Sequence, residues 1–146
     1  MKTKLLKILC CFMVLAFFGC SAFSLERSPY TINADFVMEE ESSVYKICGV
    51  ELSFSNLATE TVKEFEVVFF LFDSDGEPAY ECPNRLAFSI EREIGSDEDF
   101  SVCLSLDSYM TFVPQSLLEF DYLYVSRITY ADGSIWVDPY GFSAFM

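Results

Sequence analysis

Residues 66–76 read EVVFFLFDSDG, and the six apolar residues at 67–72 decide how this chain can fold. A strand with one wet face alternates apolar and polar side chains. That alternation is clean just upstream, through Lys63, Glu64, Phe65, Glu66 and Val67, and then stops. Extending its phase assigns Phe65, Val67, Phe69 and Leu71 to the core and turns Val68, Phe70 and Phe72 to the opposite face. Burying each such side chain is worth about 1.5–3 kcal/mol, so that second face needs a cover. Three covers are open: the irregular stretch 107–118 folded over it, flanking Tyr and Lys stems, or a partner, either a second copy or another protein. Phe70 and Phe72 are therefore candidate interaction residues. An apolar β run at a sheet edge promotes aggregation, so 62–72 is expected to be a central strand.

Outward from this strand, the chain reads as extended segments separated by turn residues, with no helical periodicity of any length. Strands are expected at 31–38, 44–56, 62–72, 86–94, 100–106, 121–130 and 134–137. In the second, Cys48, Val50, Leu52 and Phe54 line one face and Glu51, Ser53 and Ser55 the other. Asp73-Ser74-Asp75-Gly76 is a turn, because Asp accepts bonds from its own backbone and Gly tolerates positive φ. Asp132-Gly133 marks a hairpin closing the domain. Residues 107–119 are irregular, with one helical turn expected at 114–118. Seven or eight strands at this spacing predict an all-β fold: an antiparallel two-sheet sandwich, immunoglobulin- or fibronectin-III-like. A closed barrel is the competing architecture.

The motifs LFDSDGEP and YADGSIWVDPYG, within 65–141, resemble small exported bacterial β-sandwich proteins of uncharacterised function, many of them predicted lipoproteins. The resemblance implies this architecture, with an aromatic strand leading into an Asp-x-Asp-Gly turn and a late Asp-Gly-Ser-x-Trp hairpin. It implies no catalytic residues.

The amino terminus has the export layout: three lysines in MKTKLLK, then an apolar run at 8–18 that is too short to span a bilayer. Gly19-Cys20 resembles the end of a bacterial lipoprotein signal peptide, with bulky Phe18 where a small residue is usual. Residues 1–19 are thus expected to be a cleaved signal, 20–29 a tether with lipid on Cys20, and 30–146 the sandwich. Cleavage after Ser24, giving a secreted or periplasmic chain that starts at Leu25, is the other reading, and an uncleaved anchor the third. The formal net charge is −14, from 9 basic and 23 acidic residues, and Lys2, Lys4 and Lys7 would leave with the signal. Such a surface repels phosphate backbones, which argues against nucleic acid, and anionic headgroups too, so membrane association would rest on the acyl chains. Cys48, Cys82 and Cys103 remain after processing, allowing at most one disulfide in three pairings.

The chemistry is sparse. No histidine is present, so Ser-His-Asp and Cys-His arrangements cannot be built. Neither Lys46 nor Lys63 sits in a recognisable Ser-Lys motif, and the Cys spacing fits no zinc site. No phosphate loop or dinucleotide fingerprint occurs, so no cofactor is expected. Asp73, Asp75 and Glu77, or Asp97, Glu98 and Asp99, offer hard oxygen ligands for Ca²⁺, but solvated turns explain them as well. Tyr124, Tyr130, Trp136 and Tyr140 gather near the carboxyl end; exposed, they would suit a sugar ring, and buried, they are hairpin anchors. The resulting expectation is a non-enzymatic envelope lipoprotein that binds through Phe70, Phe72, Trp136 or Tyr140. The alternative is a carbohydrate-binding module using exposed aromatics, with Trp136 and Tyr140 coplanar.

Overall fold

The computed structural model describes residues 28–38, 42–79, 83–110 and 112–145. Seven strands form two antiparallel sheets. Strands β1 (Tyr30–Val37), β2 (Gly49–Asn56) and β5 (Asp99–Ser105) make one sheet in the order β1-β2-β5. Strands β3 (Val62–Phe72), β4 (Arg85–Ile94), β6 (Glu119–Tyr130) and β7 (Ile135–Val137) make the other in the order β4-β3-β6-β7. The fold is therefore the expected open, immunoglobulin/fibronectin-III-like sandwich. Its fourth strand pairs with β3, and not with the three-stranded sheet as in constant-type immunoglobulin domains.

β3 is central, hydrogen-bonded to β4 on one side and β6 on the other. Its core set is the one the alternation assigns: Phe65, Val67, Phe69 and Leu71 are buried. Across the sandwich Phe54 stacks on Phe65 at 4.3 Å between ring centroids. Phe100 meets Phe65 edge-on at 6.4 Å, and Tyr30 stacks on Phe54 at 6.0 Å. Phe69 sits between Phe88 at 5.7 Å and Phe120 at 5.3 Å. Offset and T-shaped geometries are the favourable ones for such rings. Edge strand β4 keeps Arg85, Ser89, Glu91, Arg92 and Glu93 exposed, which discourages edge-to-edge pairing.

Two departures from simple alternation shape β6. Glu66 and Val67 pair with Arg127 and Val125, so Ser126 is an inserted residue. Val68 and Phe70 pair with Tyr124 and Asp121, a second insertion, and there Tyr122 adopts a left-handed φ of 53°. Each bulge turns two successive side chains outward, and Phe120, Leu123, Val125 and Ile128 all reach the core although their spacing is irregular. At the first bulge the Val125 N–H donates to the buried Tyr30 hydroxyl at 3.0 Å, which ties β1 to the opposite sheet.

The second strand is shorter than expected. Residues 44–48 form no strand pairing; the Asp107 carboxylate holds them by accepting the Lys46 and Ile47 N–H groups, each at 2.8 Å. Helical turning also falls earlier than expected, with Met110 N–H bonding the Leu106 carbonyl at 3.2 Å, and residues 114–118 form no helix. A short 3-10 helix, Phe142–Phe145, follows β7. Cys48 is buried in the core, while Cys103 lies opposite Glu51 on the outer face of its sheet, so the two are not bridged to each other. Cys82 lies outside the described residues, as do Cys20 and the whole expected signal.

Asn56 is the one fully buried polar side chain among the described residues, and every polar atom of it is satisfied. Its amide donates to the carbonyls of Glu60, Ile94 and Gly95 at 2.9–3.1 Å, and its oxygen accepts the Ala58 N–H at 3.0 Å. It thereby ties the β2–β3 turn to the β4–β5 turn. Asn56→Ala removes the donor to three carbonyls, of which that of Ile94 is buried, and an unmet buried polar group costs about 1–3 kcal/mol. Urea unfolding should show a loss of about 2–4 kcal/mol for Asn56→Ala, against less than about 0.5 kcal/mol for exposed Asn33→Ala.

Candidate functional site: an aromatic groove on the four-stranded sheet

The second face of β3 is covered by neighbouring tyrosines and the carboxyl-terminal tail. The stretch 107–118 does not fold over it. That stretch instead plugs one end of the sandwich, where Leu106, Met110 and Leu118 join the core. Val68 is fully buried, whereas Phe70 and Phe72 stay half-buried. They floor a shallow groove of about 510 Å³ walled by Asn84 and Arg85 on one side and by Tyr122, Tyr124, Pro139 and Tyr140 on the other. Phe70 meets the Tyr122 ring edge-on at 5.9 Å. Tyr122 is 53% exposed and Tyr140 72%, so the groove offers open ring surface.

The tail wall is built around Tyr124 and Asp138. Gly141, with φ +70°, rides directly on the Tyr124 ring; a Cβ there would lie 2.7 Å from the ring. The Tyr124 hydroxyl donates to the Pro139 carbonyl at 3.3 Å. Buried Asp138 accepts the N–H groups of Phe142 at 3.0 Å and Ser143 at 2.7 Å, as well as the Ser143 hydroxyl at 2.7 Å. Burial alone would push the Asp138 carboxyl up, but the bonds from the Ser143 hydroxyl and from the Ser143, Phe142 and Tyr140 amides together outweigh it and hold it below its ordinary value. Ser143 in turn contacts the Tyr30 hydroxyl at 3.4 Å, joining the tail to the interior.

Of the residues expected to bind, Phe70, Phe72 and Tyr140 come together in this groove. Trp136 does not join them: it pairs with Ile128 on the core side of β7 and meets Tyr30 edge-on at 5.7 Å. Trp136 and Tyr140 thus form no common platform. Tyr124 and Tyr130 are buried. Sequence reasoning did not single out Tyr122, Asn84, Arg85 or Pro139. The Tyr-Leu-Tyr spacing at 122–124 is the available signal for the first, while Arg85 joins only through its pairing with Phe70.

The acidic clusters are committed elsewhere. Asp73 accepts the Asp75 and Glu77 N–H groups, each at 3.0 Å, within its own turn. Asp99 takes the Ser55 hydroxyl at 2.6 Å, and Glu98 the Gly95 N–H at 2.7 Å. The two loops lie at opposite ends of β4, and no group of three ligating side chains suited to a metal occurs among the described residues. Comparison with protein-family models, curated proteins and solved structures returned no match for this chain.

The tail clamp has a pH signature. A carboxyl held below its ordinary value of 3.8 contributes stability that is complete above that value and is lost as pH falls through the lower folded one. Between about pH 5 and pH 2.5, the melting temperature of the native chain should fall further than that of Asp138→Asn, which lacks the carboxylate throughout. From pH 6 to 8 both curves should be flat, since no histidine titrates there.

Proposed function

We propose that this chain is a non-enzymatic, exported envelope lipoprotein whose acidic sandwich domain works by binding through the outer face of its four-stranded sheet. The observation that carries the reading is the groove itself. Two phenylalanines of the apolar run on the central strand remain half-open while Val67, Val68, Phe69 and Leu71 are buried, and they are ringed by tyrosines that are rigid and amphipathic. Large aromatic side chains of this kind supply contact area at low entropic cost. Among the described residues that line the groove, Arg85 is the only charged side chain, in a chain with a strong acidic excess. The outer face of the other sheet is different, offering Ser53 and Ser101 in mutual contact at 3.2 Å, with Asp35, Glu51 and Asp99 nearby. The resemblance to small exported sandwich proteins and the lipoprotein-type amino terminus support the envelope placement.

The sugar-binding alternative loses its two-ring platform with Trp136 turned inward and would have to rely on Tyr122 and Tyr140.

A photo-reactive amino acid at position 140 should give discrete adducts in the producing cell, and the same group at position 53 on the polar face should give none. Equal adduct yields from the two positions would sink the binding reading. Anchoring is tested separately by the intact mass of the protein extracted from its membrane. A diacylglyceryl adduct on a chain beginning at Cys20 is expected, whereas an unmodified chain beginning at Leu25 overturns it.

A further inference from the structure

The geometry points to a second copy of this chain as the occupant of the groove, in a two-fold dimer whose axis runs along β3 above Phe70. This rests on the reading of the outer sheet face as a binding surface and adds the partner.

The argument comes from the rows of residues that cross the sheet. One row reads Arg85, Phe70, Asp121, from β4 through β3 to β6. A two-fold axis lying along β3 exchanges the β4 and β6 sides while keeping position along the strand. Arg85 of each copy then faces Asp121 of the other, and Phe70 faces itself, as an isologous interface requires. The next row reads Ala87, Val68, Tyr124. Its β6 side is raised, because Pro139 and Gly141 ride on Tyr124, and its β4 side is low, because Ala87 has only a methyl group. The same exchange sets the raised side of each copy over the low side of the other. Charge and relief are thus both self-complementary about one axis. An axis running across the strands would instead place Arg85 on Arg85.

Two features delimit the contact. Glu66 lies on the same line of β3 and would meet its own copy, so the interface centres on Phe70 and Phe72 and opens before Glu66, as two twisted sheets packed at an angle do. Second, an axis parallel to the strands leaves both amino termini at the same end of the dimer. β1 begins beside Asn56, at the end of the sandwich remote from Phe72. Two tethers leaving that end reach one membrane together, and two acylated anchors hold far more firmly than one.

The test uses the full-length chain in its own membrane and in mild detergent. Phe70→Cys, on the axis, should cross-link to itself on oxidation several-fold above the wild-type background. Arg85→Cys and Asp121→Cys should each stay near background alone and cross-link when the two variants are co-expressed, with Ser53→Cys as the off-face control. In sedimentation, Arg85→Asp and Asp121→Arg should each weaken the dimer by about tenfold or more, and the double reversal should restore it. A chain that stays monomeric to about 100 µM, or one that cross-links equally at positions 53 and 70, overturns the dimer. If the chain is monomeric yet position 140 still yields adducts with another molecule, the binding surface stands and the second copy falls.

Discussion

Over residues 67–72 strand β3 has apolar side chains on both faces and a hydrogen-bonded neighbour on each edge, and the rest of the domain is arranged to keep water from all four sides of that run. The three-stranded sheet covers one face, through Phe54 stacked on Phe65 and Phe100 set edge-on to it, while Phe88 and Phe120 of the neighbouring strands flank Phe69. The other face is harder to cover, because a sandwich of this size has no third layer. Tyrosines of β6 and a tail held down by Asp138 do that work, and they do it incompletely. Val68 is sealed, while Phe70 and Phe72 are left half-open. The candidate site is therefore a consequence of the fold's central problem, at the place where the domain runs out of material to solve it.

The bulges in β6 give that cover its form. A regular strand would send every second residue outward and would place the tyrosines and the core residues in strict alternation. With one residue inserted at Ser126 and another near Tyr122, pairs of successive side chains face out, and the intervening apolar residues still reach the core. Tyr122 accepts a left-handed backbone in return, a conformation costing a non-glycine residue of order 1 kcal/mol. The Val125 N–H released at the first bulge is met by Tyr30, whose hydroxyl also contacts the tail through Ser143. Groove, bulge and tail are thus one connected arrangement.

The heavy acidic excess has little part in the site. Many of the carboxylates act locally: Asp73 and Asp132 organise their own turns, Asp107 fixes the approach to β2, and Asp138 fixes the tail. At the groove the charged side chains among the described residues are Arg85 on its wall and Asp121 across Phe70 from it.

Local pattern determined the fold class, the strand positions, the central place of β3 and which of its side chains face inward. These follow from two short-range facts, the two-residue side-chain period of a strand and the turn chemistry of Asp and Gly. That Phe70 and Phe72 turn to the outer face was also legible, because an apolar run longer than alternation allows must seek a second cover, whereas Tyr140 stood out only as one of the aromatics near the carboxyl end. The identity of that cover, the inward turn of Trp136, and the meeting of Arg85 and Asp121 across Phe70 were decided by tertiary structure. Each depends on the register of strands far apart in the chain, and a single inserted residue in β6 shifts that register by a full side-chain face, which no local pattern encodes.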